Sequence, residues 1–558
     1  MIINTMIYML FVGIFGLFRL HIRSDKILSW IMFFIVLGLF GEYNIQSNAG
    51  EIAGFSFLWA STQIGNITLD FNPAQATNQI IVPIFLLSLM TILNNNIFRY
   101  EERRCAFNSL IIFNLVSLNL LVCAENYVQL ITMVFVIDIL GYMILRDIDS
   151  SRRYVIYNFF ADMCLFMILA LACGRIHSLD MTRLLGYEQI GRHKDFVSLV
   201  ATLALLIKIG CFPFQSYLMD ISNARFQRMS TVFLLFSPLA GMLLLLKLHN
   251  LLLISDLFLP LFKTVVLLTF IAGISGFVVK RNIQKKVACL NMAFLSVLLQ
   301  QLQTNDFNLN MSTALYLVAM YLFNQLFFKL YLYQNREVDI LKMINAKKIN
   351  SLALKVLLLQ FSLLNALFLI FVKQISAATP AWYLLVETGL IFIGEAIVLN
   401  HVYKSPVEHR LDYLNNNSMR ALSFGFNGLL LLAGIYYFWL EKIWLVIFFA
   451  TFMILVASPL GEKFKPLYEK EKIQNKEISQ SFISYALVLP LTYLSRSIWF
   501  ILDIFLSEKV INASVSSFQK GGILLFLKIN KKSYGAGFMF VVIGIMIFIL
   551  AYYGGMNR

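Results

Sequence analysis

Apolar runs long enough to cross a bilayer recur from one end of this 558-residue chain to the other. About twenty helical residues span a hydrocarbon core. Inside that core each backbone N–H and C=O must be satisfied within the spanning structure, which makes helices the expected form of such runs. The runs predict about sixteen spans. They centre near 5–20, 27–42, 78–97, 106–123, 127–145, 154–174, 196–217, 230–249, 256–279, 287–303, 311–333, 351–372, 376–402, 420–438, 441–458 and 536–553. The connections are short, so no sizeable soluble domain fits, and redox or nucleotide chemistry would sit on another chain. Composition agrees: 59% of the residues are hydrophobic, 13% are charged and the mean hydropathy is +0.76. A soluble domain needs far more polar surface.

The net charge of +15 has the size of a nucleic-acid signal but not the distribution of one. Arg19, Arg23 and Lys26 follow the first span, Arg99, Arg103 and Arg104 the third, and Arg146, Arg152 and Arg153 the fifth. Arg225 and Arg228 follow the seventh, and Lys280, Arg281, Lys285 and Lys286 the ninth. The intervening connections are mostly acidic or neutral, with Glu125, Asp256 and Asp306, while 175–195 is mixed. This alternation is the positive-inside pattern. It puts the N-terminus outside and the basic loops in the cytoplasm or matrix, in a bacterial inner (plasma) membrane or a mitochondrial inner membrane. The bilayer is therefore the expected partner of these charges, and nucleic acid is not. Six cysteines stand singly, at 105, 123, 164, 173, 211 and 289, with no metal-ligand spacing and no disulfide framework. The first span lacks a small-residue cleavage site and is not expected to be a removable signal.

Ionisable groups deep in apolar runs carry the functional information, since each costs roughly 2.5–3.5 kcal/mol at mid-helix on insertion scales. Asp138 lies in VQLITMVFVIDILGYMIL and Lys208 in VATLALLIKIGCFPF, five residues before Pro213. Lys329 lies in MYLFNQLFFKLYLY, and Lys373 in LFLIFVKQISAATP, seven residues before Pro380. Glu387 and Glu395 share the next run, eight apart, and so fall on similar faces of one helix. A lysine near a helix end ordinarily snorkels to the headgroups, which is the plain reading for Lys247 and Lys355 and one of two for Lys373. For Asp138 and Lys208 the plain reading is a buried ion pair joining two helices. The functional reading is a proton carrier: burial lowers a lysine's affinity for its proton and a neighbouring carboxylate restores it. A proline inside a span breaks or kinks it. A lysine-bearing broken span in each half of a chain is a pattern of inverted-repeat transporters.

The residues themselves add a resemblance. KIGCFPFQSYLMDISNARFQRMSTVFLLFSPLAG, 208–241, resembles the lysine-bearing broken helix of the antiporter-like subunits of respiratory complex I. The family pattern is roughly K-S-A-x-x-P-[FL]-x-x-W-L-P-D-A-M; Lys208, Pro213, Leu218 and Asp220 keep their spacing and Tyr217 stands for the tryptophan. SRRYVIYNFFADMCL, 151–165, resembles K-A-F-x-x-N-R-x-G-D-F of the largest such subunit, the chain-L or subunit-5 type, with Asn158 and Asp162 kept. FFKLYLY at 327–333 and FVKQI at 371–375 resemble its H-A-F-F-K-A-L-L-F and F-S-K-D-x-I-L, and Asp138 falls where the family has the glutamate of W-E-L-x-G. LPLTYLSRSIWFILDIFL, within 481–530, with Pro490, Arg496, Trp499 and Asp503, resembles the lateral helix of that largest subunit. The chain departs from the family where Phe233, Tyr321 and Gln325 replace histidines, the side chain best suited to relay protons near neutral pH. Tyrosine, glutamine and water would have to bridge those gaps.

The resemblance implies an all-α polytopic fold with two inverted five-helix repeats. Residues 1–105 would be peripheral spans, 106–250 the first repeat and 251–403 the second. Peripheral spans and a charged loop would occupy 404–475, the lateral helix 476–530 and a last span 531–558. The implied function is proton translocation as a membrane-arm subunit of a complex I-type NADH–quinone oxidoreductase or a close paralogue, beside other membrane subunits. Asp138 and Lys208 would form the input pair, Lys329 the relay, and Lys373, Glu387 or Glu395 the outlet. No cofactor or metal is expected in this chain, and any dehydrogenase activity would belong to partners. Two alternatives stay open: a subunit of a multi-subunit cation/proton antiporter or another ion-coupled complex, and a scaffold paralogue that does not pump.

Overall fold

The computed structural model describes residues 2–17, 22–49, 55–62, 65–71, 75–98, 103–145, 151–175, 179, 194–224, 226–252, 255, 258–279, 283–301 and 497. The described residues fall into two units divided at Val265, each taken here by itself. The first holds α1 (Ile2–Leu17), α2 (Ile22–Ala49), the strands β1 (Phe55–Thr62) and β2 (Gly65–Phe71), and α3 (Gln75–Phe98). It continues with α4 (Arg104–Val122), α5 (Tyr127–Leu145), α6 (Ser151–Arg175) and α7 (Lys194–Ile209). The short α8 (Ser216–Ile221), α9 (Phe226–Leu235) and α10 (Ser237–Leu252) follow. Then α11 (Phe258–Val279) crosses the division and leads to α12 (Ile283–Gln301).

Six of the described helical segments are long and apolar enough to cross a membrane: Asp25–Gln46, Arg104–Val122, Tyr127–Leu145, Arg153–Ala170, Arg228–His249 and Pro260–Phe277. These agree with spans read from the sequence. The expected spans from 311 onwards, the second repeat beyond Gln301 and nearly all of the lateral segment lie outside the described residues.

Helices α4 to α10 pack around one interior. α4 lies against α5, α5 against α6, α6 against α7, α7 against α10, and α10 closes the ring against α4 and α5. α1 and α3 cover the outer side of α4. The start of α4 is fixed by α2: Asp25 accepts from the backbone N–H groups of Arg104 (3.0 Å) and Cys105 (3.2 Å). A carboxylate there answers both the unpaired donors and the positive end of the helix.

Two helices break where the sequence forbids continuation. After Ile209 the chain turns through Gly210 at φ 78°. The Gly210 N–H bonds the Ile207 carbonyl (3.0 Å) and the Cys211 N–H bonds that of Leu206 (2.9 Å), the paired bonds of a Schellman stop. A Cβ at Gly210 would both strain the backbone and run into the Leu218 side chain. Expected span 196–217 therefore ends as a helix at Ile209 and resumes only at Ser216, beyond Pro213. The second break separates α9 from α10, where Pro238 has no N–H to continue the ladder. There Asn114 of α4 donates to the Leu235 carbonyl at 2.6 Å.

One element departs from the all-helical expectation. β1 and β2 form an antiparallel hairpin in the 43–77 stretch read as a connection. β2 is docked on the α4–α5 turn. Gln129 accepts from the Asp70 N–H (2.8 Å) and donates towards the carbonyls of Asp70 (2.8 Å) and Leu120 (3.0 Å), while Asn126 donates to the Asn66 carbonyl (2.9 Å). Lys247 also differs from its snorkelling expectation: its Nζ donates to the Ala124 carbonyl (3.1 Å) at the end of α4. A cation there complements the negative end of that helix.

Candidate functional site

Three neighbouring helices of the ring each bring one ionisable side chain to its interior. Lys208, in the last turn of α7, is fully buried. Its ammonium is ion-paired with Asp138 of α5, and with Asp162 Oδ1 of α6 at 2.6 Å. Both aspartates are buried as well. Single charges at this depth are expensive, and mutual pairing offsets the cost. Sequence reading placed Asp138 and Lys208 together, and the structure does so; it adds Asp162 as a third member.

The helix break shapes the site. Because α7 stops just after Lys208, the Lys208 carbonyl has no partner further along its own helix. The Tyr217 hydroxyl of α8 donates to it at 2.8 Å, and the Ser237 hydroxyl, at the second break, lies within 3.1 Å. Ser237 also bonds Asn158 of α6, whose amide donates to the Tyr154 carbonyl at 2.9 Å. Tyr154, Asn158 and Asp162 follow at four-residue intervals and so line one face of α6. The Tyr154 hydroxyl lies so close to Gly141, one turn beyond Asp138, that any side chain at 141 would run into it.

Hydrogen-bonding groups continue from this cluster towards the N-terminal end of α6, which carries Arg152 and Arg153. The ring of Tyr217 packs edge-on to Tyr154 (centroids 6.0 Å) and tilted against Tyr157 (5.7 Å). The Ser216 and Tyr157 hydroxyls are bonded at 3.1 Å. Next in line is the ion pair of Arg153 with Asp220, 3.0 Å, whose side chains are 45% and 20% exposed. Successive turns of α6 thus lead from a partly exposed arginine to a buried aspartate. Such an arrangement can move a proton between carboxyl and amine inside a site closed to bulk water.

Phe233, at the family's histidine position, is a buried residue of α9. Lys329, Lys373, Glu387 and Glu395 lie outside the described residues. Asp162 and Tyr154 were not among the expected site residues. The rule that found Asp138 also reaches Asp162, an acid eight residues into an apolar span. Nothing local marks Tyr154.

No protein-family model matches the chain, and no curated protein matches it. Solved structures do share its fold. It is similar to a chain of the Mrp complex from Dietzia sp. DQ12-45-1b, with 13% identity and a TM-score of 0.65, over 100% of this chain. It spans 63% of the length of that longer chain. It is also similar to a chain of the membrane-bound sulfane sulfur reductase, an archaeal respiratory membrane complex. There the identity is 13% and the TM-score 0.66, over 98% of this chain and 99% of the other. The chain is a multi-pass membrane protein with a fold found in chains of multi-subunit membrane complexes.

Proposed function

We propose that this protein is an antiporter-like, ion-translocating subunit of a multi-subunit membrane complex, and that the cluster of Asp138, Asp162 and Lys208 takes up and passes on protons. The observation that carries this reading is Lys208 itself. It is fully buried beside a helix break and ion-paired to carboxylates from two other helices. A lysine needed only to hold helices together has no reason to sit at a break, with a line of hydroxyls running from it towards the surface. Within this reading the chain belongs to a respiratory complex of the complex I type, as the sequence resemblance to its largest antiporter-like subunit implies. Lys329 would be the central relay, and Lys373, Glu387 or Glu395 the outlet. Fold likeness to a chain of a respiratory membrane complex is in keeping with this.

The test is a pair of substitutions assayed in vesicles holding the assembled complex. Lys208→Met keeps the length and packing of the side chain, and Lys208→Arg keeps a charge that is never released. Both variants assemble, and both lose essentially all proton or cation flux, because neither can alternate between charged and neutral forms. Flux at the wild-type level from either variant means that the lysine is structural. Mass spectrometry of the subunits that co-purify separates the respiratory reading from a multi-subunit cation/proton antiporter: hydrophilic redox subunits support the first and refute the second.

A further inference from the structure

Among the described residues the cluster carries one more carboxyl group than it has cations. Lys208 is the one cation ion-paired within it, against Asp138 and Asp162, and all three are buried. Both carboxyl groups sit against the same ammonium nitrogen. Ionised carboxylates only accept, and Asp138 Oδ1 and Asp162 Oδ2 have no donor among the described residues. The Tyr154 hydroxyl is fully buried against Gly141, one turn from Asp138, and its proton has no acceptor among the described residues. Other titratable side chains of these helices do not remove the surplus. Tyr217 is committed to the Lys208 carbonyl, Arg153 and Asp220 pair with each other, and Cys164 and Cys211 add no positive charge. Two adjacent carboxylates sharing one counter-charge in a low-dielectric site do not both stay ionised.

We propose that the cluster stores a second, exchangeable proton beyond that of the Lys208 ammonium, shared between Asp138 and Asp162, with the Tyr154 hydroxyl as the group through which it is delivered. The proton supplies the donor that the two carboxyl oxygens lack and brings the cluster to neutrality: one ammonium, one carboxylate, one carboxylic acid. Its release leaves the buried site with a net negative charge, which draws the next proton in. A metal cation is a poorer occupant, because it would have to sit beside the ammonium and gather several oxygen ligands, where a proton needs two. This inference rests on the reading of the cluster as a proton-handling centre and adds how much charge it stores.

Infrared difference spectroscopy of the full-length chain in sodium-free vesicles of neutral phospholipid, near neutral pH, tests it by counting buried carboxylic acids. The wild type shows a protonated-acid carbonyl band that is lost equally in Asp138→Asn and in Asp162→Asn, since either change leaves a one-to-one ion pair. In Lys208→Met the same band doubles, because both carboxyl groups then stay protonated. The Lys208 arm stands even where an Asn variant does not fold. Wild-type and Asp162→Asn spectra that coincide in the acid region overturn the proposal, as does a Lys208→Met band no larger than that of the wild type. A band that disappears when sodium is added overturns it in favour of a sodium site. Flux measured on the same vesicles keeps the two readings apart. An acid band without transport sinks the transport reading alone, and transport without the band sinks the stored proton alone.

Discussion

Tyr154 has its position set by a small neighbour and Lys208 by a helix end. Gly141 is the clearest case, since a methyl group there would collide with the Tyr154 hydroxyl, lie 2.9 Å from its ring carbon Cζ and crowd Phe236 at 3.3 Å. In an ordinary helix Gly→Ala gains about 0.5–1 kcal/mol. Here overpacking costs about 1–3 kcal/mol, so Gly141→Ala lowers the unfolding midpoint of the purified protein. Adding Tyr154→Phe, which deletes the colliding oxygen, recovers part of that loss; a fully additive pair would refute the contact. Sequence alone exposed Asp138 and Lys208 because each is an isolated charge in an unbroken apolar run. Asp162 was less conspicuous because Arg153 and Asn158 make its span read as partly polar. Tyr154 was invisible, because its importance comes from which helix lies opposite it. Lys247 misled for the same reason: a lysine near a helix end reads as a headgroup ligand until the neighbouring helix end is known.

Among the elements, the spanning helices were legible from hydropathy and the break after Lys208 from Pro213, although the helix stops earlier, at Gly210. That stop is testable. Gly210→Ala places an L-residue in the left-handed region, at roughly 1–2 kcal/mol, and adds a collision with Leu218 worth about 1–3 kcal/mol. The variant therefore unfolds at markedly lower denaturant. Where it still assembles, flux falls with it, because Tyr217 and Ser237 lose their alignment on the Lys208 carbonyl. Unchanged stability would mean that the turn relaxes freely and does not hold the lysine. The hairpin was not legible: β1 puts Phe57, Leu58 and Trp59 in consecutive exposed positions, so it lacks the strict alternation of a half-buried strand. What anchors it lies outside it: Gln129 and Asn126, at the start of α5, hold β2 through Asp70 and Asn66.

For the molecule as a whole, the charge pattern gives a topology that can be checked across a single helix. Asn66 of the hairpin is held at the start of α5, whereas Ser150 follows its end in sequence, between Arg146 and the Arg152–Arg153 pair. In intact cells Asn66→Cys is labelled by an impermeant thiol reagent from outside, and Ser150→Cys only after the inner face is opened. Labelling of both from one side would overturn the crossing of α5. The ion cluster also bears on how the chain is made. Asp138 and Lys208 are 70 residues apart in sequence. At about 5–20 residues per second of synthesis, the acid emerges roughly 4–14 s before its lysine. For that interval α5 carries an acid whose counter-charge does not yet exist, so Asp138 enters the bilayer in its neutral, protonated form. Arrival of α7 then does two things at once: it locks the helix ring and turns a neutral acid into one half of an ion pair.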